Sequence, residues 1–455
     1  MTYQEEQDKV FKYILNKIVF SNFHSYEENQ VMNGIELILT PECNQACEYC
    51  YLNNYGDKLY PKNLRDHDTI LQNVNKLLDF VQEKKLYFPS LFLFSGEIWG
   101  SQFGLQVFEL LLKRYKDYKF SQIIAIPSNM SFLRSTEATQ KIEMYMAEFE
   151  TYGCHVHWSA SIEGQLIEDK FRPFKDCSKH DDEFYDTVFK FAKKYHIGFH
   201  PMVSSKSCQY WPDNYDWFID KFQEYGINRT DPMMLEVRND DWTEEDIQYY
   251  CAFLDHLYAK KKECAPDIKT LTHYIMRYGE YPSSKYSPLS LHDWGNRFTC
   301  SLQSILHVRM GDLAIVPCHR TSYEQFLLGY FTTDETGKIN GITSKNAELA
   351  LYTFTANPNL NHPVCEKCVY NKLCNKGCLG AQFEASGDLT LPCKSVCEFQ
   401  KRRLDHLIDL YDKEGILEQM KKDTSNYPML ETTVEQINII QDWRKSNERA
   451  KTGNI

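Results

Sequence analysis

Stretches of strand character alternate with helical patterns six times between residues 35 and 261. The strand-like stretches lie at about 35–40, 90–94, 121–126, 155–162, 197–203 and 231–237. The helical patterns follow them at about 66–84, 103–117, 136–150, 182–195, 214–225 and 243–261. Repeated strand–helix units form parallel sheets covered by helices, so the pattern predicts an α/β protein with a partial (β/α)6 barrel of the TIM type. An active site is then expected at the carboxyl ends of the strands.

The composition is that of a globular protein without a basic or membrane-spanning surface. The 455 residues are 42% hydrophobic and 14% aromatic, which is enough to form a large core. The net charge of −12 and the lack of Lys/Arg runs argue against binding to nucleic acids or anionic membranes. The amino terminus has no apolar signal core and no stretch is long enough to span a bilayer, so we expect a cytoplasmic protein.

Three cysteines closely follow the first predicted strand. Cys43, Cys47 and Cys50 have the spacing Cys-x3-Cys-x2-Cys, and no fourth cysteine occurs in the next twenty residues. Because a chain without an export signal keeps its thiols reduced, clustered cysteines indicate metal binding rather than disulfides. Thiolates bind zinc, copper(I) or iron–sulfur clusters. Structural zinc takes four protein ligands, whereas a four-iron cluster held by three cysteines leaves one iron open for a small molecule.

This loop resembles the signature of the radical S-adenosylmethionine (SAM) enzymes, including the aromatic Tyr49 before its last cysteine. The resemblance implies a [4Fe–4S] cluster on Cys43, Cys47 and Cys50 whose open iron binds SAM. It also implies that SAM is cleaved to a 5′-deoxyadenosyl radical. The alternative interpretations of the same three cysteines are a zinc loop and scattered buried cysteines.

The ends of the later strands carry residues that match further motifs of this family. Ser95-Gly96-Glu97 stands where the family has Gly-Gly-Glu, with serine replacing the first glycine. Period-two alternation places Ser159, Ser161 and Glu163 on one face of the fourth strand. The resemblance implies SAM contacts from Tyr49, Ser95, Gly96, Glu97, Asn129, Ser159, Ser161 and Arg172. For Asn129 the alternative is a turn residue, and for Arg172 an exposed arginine. Candidates for a catalytic side chain are Glu163, His200 and Glu236.

A second group of cysteines lies between residues 300 and 397. Its compact core has the spacing Cys-x2-Cys-x5-Cys-x3-Cys, which by itself indicates a metal site, with zinc as the alternative to iron. Together with the upstream loop, the group resembles the SPASM domain, which holds auxiliary clusters in sulfatase maturases and in maturases of ribosomally made peptides. The full group is Cys300, Cys318, Cys365, Cys368, Cys374, Cys378, Cys393 and Cys397.

The SPASM resemblance implies two auxiliary [4Fe–4S] clusters. One would be held by Cys365, Cys368, Cys374 and Cys397. The other would be held by Cys300, Cys318 and Cys378. Its fourth ligand stays open between Cys393, Asp293 and a vacant iron position, with Cys393 favoured because eight cysteines make two sets of four.

Four parts of the chain are expected: a helical segment at 1–33, the barrel at 34–278, the auxiliary-cluster domain at 279–400 and a helical tail at 401–455. Leu404, Leu407, Ile408 and Tyr411 form an apolar stripe in the tail, which predicts packing against its own domain. The cysteines outside the two groups show no ligand spacing and are expected to be small buried residues: Cys154, Cys177, Cys208, Cys251 and Cys264.

The two resemblances together imply an oxygen-sensitive enzyme that oxidatively modifies a side chain of a peptide or protein. A thioether or carbon–carbon crosslink in a ribosomally made peptide is the expected product, and formylglycine formation of the sulfatase-maturase type is the enzymatic alternative. An external electron donor of the flavodoxin or ferredoxin type would be a partner. Two other classes stay open: an iron–sulfur electron carrier or redox sensor without SAM chemistry, and a zinc-stabilised interaction protein.

Overall fold

The structure is a computed structural model that describes residues 2–14, 34–227, 232, 235–264, 305–355, 363–371, 373–374, 378–423 and 428–451. Its strands are β1 (Gly34–Ile38), β2 (Phe88–Phe94), β3 (Ser121–Ser128), β4 (His155–Ala160), β5 (Gly198–Phe199), β6 (Met202–Val203), β7 (Leu235–Glu236), β8 (Ile305–Arg309), β9 (Ala314–Val316), β10 (Gly329–Thr333) and β11 (Ile339–Ser344).

The α-helices run between the strands and follow the last one. They are Tyr3–Ile14, Tyr51–Leu59, His67–Glu83, Gln102–Asp117, Thr136–Thr151, Glu168–Phe171, Asp182–Tyr195, Trp211–Glu224, Glu244–Cys264, Ala347–Thr355, Pro363–Glu366, Leu379–Ser386, Lys394–Lys413, Ile416–Asp423 and Pro428–Lys451. Within the described part of the chain, none of these helices is both long and apolar enough to cross a membrane.

Nine strands form one sheet in the order β11-β10-β9-β8-β1-β2-β3-β4-β5. The strands β1 to β5 pair in parallel, and β8 adds in parallel to the other edge of β1. From β8 to β11 the neighbours are antiparallel. The α/β class predicted from the sequence, with parallel strands, intervening helices and a cysteine-rich region toward the carboxyl terminus, is therefore confirmed.

The two faces of this sheet differ in chemistry. Successive side chains of a strand point to opposite faces. On one face, Ile35 of β1 lies beside Leu91 of β2, and both are almost fully buried. On the other face, Glu36 of β1 lies between Phe92 of β2 and His307 of β8. The sheet thus has one apolar face and one face that carries polar groups.

The predicted fifth strand, 197–203, is divided in the structure. β5 joins β4 in the large sheet, whereas β6 pairs in parallel with β7. Pro201 stands between β5 and β6, and proline has no amide hydrogen to donate to a strand ladder. The predicted sixth strand, 231–237, corresponds to the two-residue β7.

Four strands that the sequence pattern did not predict, β8 to β11, extend the sheet. Residues 305–344 fall within the auxiliary-cluster domain expected at 279–400, but they are hydrogen-bonded into the sheet of β1. The amino-terminal helix packs here, because Phe11 is fully buried and Asp8 Oδ1 accepts a hydrogen bond of 2.6 Å from the Ser344 amide. The remainder of the predicted helical segment, 15–33, lies outside the described residues.

The chain divides into two compact units. The first unit contains the nine-stranded sheet and comprises Met1–Pro201, Asp216–Met233 and Ser301–Thr355. The second comprises Met202–Tyr215, Met234–Cys300 and Ala356–Ile455. The domain boundaries expected from the sequence stay predictions.

The helix Lys394–Lys413 supplies a core to the second unit. Its predicted stripe, Leu404, Leu407, Ile408 and Tyr411, is buried. At its start, the Phe399 ring stacks on Trp242 with centroids 4.0 Å apart. The predicted helical tail is divided in the structure, because Gly415, with a φ of 71°, separates Lys394–Lys413 from Ile416–Asp423.

Candidate active site

The loop that carries Cys43, Cys47 and Cys50 leaves the carboxyl end of β1 and leads into the helix Tyr51–Leu59. Its backbone is bonded to a second loop, residues 171–175. The amide of Ala46 donates to Pro173 O at 2.9 Å, and the amide of Glu48 donates to Phe171 O at 2.8 Å. Three thiols are therefore held on a fixed backbone at the end of the sheet where parallel α/β folds bind ligands.

The turn after β2 packs against the same cysteine loop. The amide of Gly96 donates to Thr40 O at 2.8 Å, and that of Glu97 donates to Glu42 O at 2.7 Å. A Cβ atom on Gly96 would lie 2.0 Å from Glu42 O, so no larger residue fits without a movement of the backbone. The glycine therefore sets the distance between this turn and the cysteine loop.

Burial changes the acidity of the thiols. It raises the pKa of Cys43 to about 11 and that of Cys47 to about 12, and the nearby Cys50 acts in the same direction. The positive charge of Arg172 opposes this effect on both thiols. Because the thiolate is the form that binds metal, binding of a cluster would release protons from the loop, and Arg172 favours that release.

The Glu97 carboxylate is buried beside the cysteine loop. One oxygen accepts hydrogen bonds from the Asn129 amide at 2.6 Å and from Ser128 Oγ at 2.9 Å. The other, Oε1, has no hydrogen-bond partner among the described residues. Burial raises the pKa of Glu97 to about 7, although these hydrogen bonds and the nearby Trp99 amide act in the opposite direction. A buried oxygen without a donor is costly, so the site fits a ligand that brings an ammonium group.

Arg172 is a buried residue, which excludes the alternative of an exposed arginine. Its Nε lies 3.2 Å from Glu168 Oε1 and its Nη1 lies 3.6 Å from Glu163 Oε1. Its Nη2 donates to Gln45 Oε1, in the cysteine loop, at 3.1 Å. One guanidinium thus faces two buried carboxylates, and the net negative charge that remains would be offset by a cationic ligand.

Three residues of this network were missed by sequence reasoning: Gln45, Glu168 and His180. The side-chain amide nitrogen of Gln45 lies 3.0 Å from His180 Nε2. Because an amide nitrogen only donates, His180 Nε2 is the acceptor, and His180 Nδ1–H donates to Asp169 Oδ1 at 2.6 Å. Glu168 holds the turn after β4 by accepting from the Gly164 amide at 3.2 Å. Its position four residues before Arg172 is the kind of spacing that indicates an ion pair on a helix.

The remaining candidates for SAM contacts lie around the same strand ends. Tyr49 is half-buried, and neither its hydroxyl nor that of Ser95 has a partner in the described part of the chain. Asn129 Nδ2 donates to Asn44 Oδ1 at 2.8 Å, and its Oδ1 accepts from the Ser131 amide at 3.0 Å. Asn129 thus acts both as a turn residue and as a contact to the cysteine loop. Ser159 lies on β4, and the Ser161 amide donates to Ser128 O at 2.7 Å.

The three candidates for a catalytic side chain are divided between the two units. Glu163 lies beside Arg172, and the His200 amide donates to Ala160 O at 2.7 Å; both belong to the first unit. Glu236 belongs to the second unit, where Tyr250 donates to its Oε1 at 2.6 Å and Arg403 Nη1 lies 3.8 Å away. Their catalytic roles stay predictions.

Six cysteines of the second group line one cavity of about 260 Å³ in the second unit: Cys365, Cys368, Cys374, Cys378, Cys393 and Cys397. Burial, and then the neighbouring thiols of Cys368 and Cys393, raise the pKa of Cys397. Cys368 and Cys397 therefore lie close together, although they are far apart in the sequence of the second group. Cys318 belongs to the first unit and Cys300 lies outside the described residues. The number of clusters and their ligand sets stay predictions.

The isolated cysteines are less uniform than expected. Cys154 and Cys208 are buried, and Cys208 Sγ donates to Ser205 O at 2.8 Å. Cys251 is partly buried, whereas Cys177 is exposed. The prediction of burial is therefore wrong for Cys177.

The fold is similar to that of solved radical SAM enzymes with a SPASM domain. The similar structures are of anSMEcpe, an anaerobic sulfatase-maturating enzyme. Native anSMEcpe with bound AdoMet matches with a TM-score of 0.54 and 16% identity, covering 83% of this chain and 98% of that chain. Native anSMEcpe with AdoMet and the Cp18Cys peptide matches with a TM-score of 0.52 and 17% identity, covering 83% and 99%. A histidine-tagged form of anSMEcpe with bound AdoMet matches with a TM-score of 0.51 and 16% identity, covering 82% of this chain and 96% of that chain.

At this level of identity the similarity is one of fold. It confirms, for the fold, the resemblance found in the sequence. No protein-family model and no curated protein matches the sequence.

Proposed function

We propose that this protein is a radical SAM enzyme that oxidatively modifies a side chain of a peptide or protein. The observation that carries the proposal is the cysteine loop, whose backbone is bonded to the turn after β2 and to residues 171–175. Beside it lies the unpartnered oxygen of Glu97. The fold similarity adds support, because anSMEcpe binds AdoMet and, in one structure, a peptide.

The residues present fit the group that this function requires. Cys43, Cys47 and Cys50 would hold a [4Fe–4S] cluster, which with SAM bound supplies a 5′-deoxyadenosyl radical that removes a hydrogen atom from the substrate. Glu97 Oε1 would accept from the SAM amino group, together with the turn of Ser95 and Gly96. This interaction satisfies a buried oxygen that otherwise has no donor.

The Arg172 network would orient the rest of the cofactor. The guanidinium offers a planar fork suited to the SAM carboxylate, and Glu168 and Gln45 hold it in position. Asn129, Ser159, Ser161 and Tyr49 would supply hydrogen bonds and a ring surface around the ribose and adenine. The extra negative charge of Glu163 would offset the positive sulfonium.

The six-cysteine cavity would hold auxiliary [4Fe–4S] clusters, with Cys300 and Cys318 as further ligands. Loss of one hydrogen atom leaves a substrate radical, and closing the product by oxidation requires removal of one more electron, for which such clusters are acceptors. An external donor of the flavodoxin or ferredoxin type would reduce the SAM-binding cluster before each turnover.

Two products fit this scheme. The first is a crosslink, in which a cysteine sulfur or a carbon atom is joined to a second residue and the peptide loses two hydrogen atoms. Formylglycine formation is the second candidate, favoured by the fold shared with a sulfatase-maturating enzyme. Candidate peptides are treated with a hydrazide after turnover, and their masses are measured. The aldehyde of formylglycine reacts with the hydrazide and gains its mass, whereas a crosslink does not react.

The test of the proposal is cleavage of SAM. Protein isolated without oxygen and reconstituted with iron and sulfide is reduced with dithionite and mixed with SAM, and 5′-deoxyadenosine is measured by chromatography. We expect its formation in the native chain and its loss in Cys43→Ala. Iron–sulfur clusters without 5′-deoxyadenosine would instead support an electron carrier, and zinc without iron would support an interaction protein.

A further inference from the structure

A carboxylate and two imidazoles meet on the polar face of the large sheet. Glu36 on β1 is the direct neighbour of His307 on β8, and His319 begins the short 3-10 helix His319–Thr321. Nδ1 of His307 lies 2.8 Å, and Nδ1 of His319 lies 3.0 Å, from the same Oε1 of Glu36. Among the described residues, this is the group of three His, Cys, Asp or Glu side chains whose ligand atoms all lie within 4.8 Å of one another.

Two of the three side chains are buried, and the hydrogen bonding of the group is incomplete. Glu36 is 7% exposed and His307 is 1% exposed. A carboxylate in the middle of a buried strand is costly unless a positive charge compensates it. Nε2 of His307 is buried without a hydrogen-bond partner in the part of the chain that the structure describes. When the ring proton of each histidine is on Nε2, Nδ1 carries a lone pair, and Oε1 of Glu36 and the two Nδ1 atoms are then three acceptors that meet without a donor between them.

We propose that Glu36, His307 and His319 bind one divalent cation of the zinc type. Two imidazole nitrogens with one carboxylate oxygen are ligands that zinc takes in sites with three protein ligands and an open position. The cation would supply the positive charge that the buried carboxylate needs. Its ligands are nitrogen and oxygen, which separates this site in chemistry from both cysteine groups.

Neighbouring groups hold His319 in place. The Phe94 ring stacks on its imidazole with centroids 4.0 Å apart and 4° between the planes. The Tyr60 hydroxyl donates to its carbonyl oxygen at 2.6 Å. Outer contacts of this kind orient the ligands of metal sites. The strand register also places Glu36 on the same face of the sheet as Ser159, so the cation would lie on the face that carries a candidate SAM contact.

The experiment uses the full chain, reconstituted with iron and sulfide and then dialysed against zinc. Zinc per chain is measured by mass spectrometry, and its ligands are read from zinc K-edge absorption, which iron does not obscure. We expect one zinc with nitrogen or oxygen neighbours at about 2.0–2.1 Å and no sulfur at about 2.3 Å. Glu36→Gln and His319→Gln should each weaken zinc binding at least tenfold.

The matched control is His155→Gln, which removes an exposed histidine of β4 that pairs with Glu150. It should retain the zinc. Circular dichroism shows whether each variant folds. If Glu36→Gln does not fold, the test rests on His319→Gln, because the His319 side chain is 33% exposed and its replacement disturbs the core less. Zinc bound only through sulfur, no bound zinc, or retention of nitrogen-bound zinc by the variants overturns the proposal. 5′-Deoxyadenosine is measured in the same samples, so failure of SAM cleavage is recorded separately from failure of the zinc site.

Discussion

The amide nitrogen of Glu97 lies 2.7 Å from the carbonyl oxygen of Glu42, the residue that precedes Cys43. The same glutamate presents a buried carboxylate beside the cysteine loop, with one oxygen held by Asn129 and Ser128. One short turn therefore does two things: its backbone shapes the cysteine loop, and its side chain offers an acceptor to a ligand. The first predictions separate these two roles.

Gly96→Ala should disrupt the cysteine loop through the backbone. The added methyl group would meet Glu42 O at 2.0 Å, so the turn and the loop must move apart. We expect loss of most of the iron bound by the first group and a destabilisation of about 1–3 kcal/mol, a common cost of an added methylene in a packed site. Iron analysis in a Cys374→Ala background, together with urea unfolding, measures both effects.

Gly56→Ala is the matched control for this change. Gly56 lies in the helix Tyr51–Leu59 that follows the same loop, and its added Cβ would be 3.8 Å from Pro41, an ordinary contact. Alanine in a helix is favoured over glycine by about 1 kcal/mol. Iron content should be unchanged; equal iron loss in both variants would contradict the role assigned to Gly96.

Glu97→Gln should weaken the binding of SAM while the cluster is retained. Glutamine keeps an acceptor for Asn129 and Ser128 but lacks the charge that an ammonium group would pair with. We expect at least a tenfold rise in the Kd for SAM, about 1.4 kcal/mol, with unchanged iron content. Titration calorimetry on the reconstituted protein measures the Kd, and native affinity in the variant would remove Glu97 from the SAM site.

The pH dependence of stability offers a test on protein without iron or SAM. Burial raises the pKa of Glu97 from 4.5 to about 7, so the folded chain holds this proton more tightly than the unfolded chain. The resulting stability is fully present below pH 4.5 and is lost as the pH rises through about 7. Its size is on the order of 3 kcal/mol. In Glu97→Gln, the free energy of unfolding measured with urea should therefore change less with pH between 4.5 and about 7 than in the native chain. The same pH dependence in both proteins would contradict this role of Glu97.

Arg172→Gln should destabilise the first unit strongly. It leaves the buried carboxylates of Glu163 and Glu168 without their shared cation, a change that typically costs about 3–5 kcal/mol. The double variant with Glu168→Gln should recover part of this loss, because one buried charge is then removed. Lys141→Gln, which breaks the exposed pair with Glu137, is the control and should cost less than about 0.5 kcal/mol.

The two cysteine groups should separate SAM cleavage from product formation. Cys43→Ala, Cys47→Ala and Cys50→Ala should each abolish 5′-deoxyadenosine formation. Cys374→Ala should retain some cleavage and stop formation of the modified peptide, because its place is in the six-cysteine cavity. Cys177→Ser, at an exposed cysteine, should change neither. Full turnover by the Cys374 variant would remove the auxiliary role of that group.

Local patterns predicted the elements that depend on nearby residues. The helix expected at 66–84 is observed as His67–Glu83, and Asp66 caps it by accepting from the Thr69 amide at 2.9 Å. At the start of the helix predicted at 243–261, Thr243 and Asp246 exchange hydrogen bonds between side chain and backbone, as in a capping box. Such signals are local, so they can be recognised without the fold.

The strands β8 to β11 escaped prediction; β8, for example, ends in a charge that the fold buries. Arg309 on β8 is 2% exposed and donates to Ser322 O at 2.7 Å, and its guanidinium also pairs with Asp312. In sequence such a stretch resembles a solvated segment. Only the long-range partners show that it is a buried strand.

The sequence by itself determined which ligands the chain can offer: three thiols at a fixed spacing, a glycine–glutamate turn and a compact second cysteine group. These depend on near neighbours along the chain and on the chemistry of each side chain. The tertiary structure alone decided that Arg172 and Gln45 meet beside the thiols and that Glu36 meets His307 across 271 positions of sequence. The physical reason is that strand register and order are set by the packing of the whole sheet, which no local spacing records.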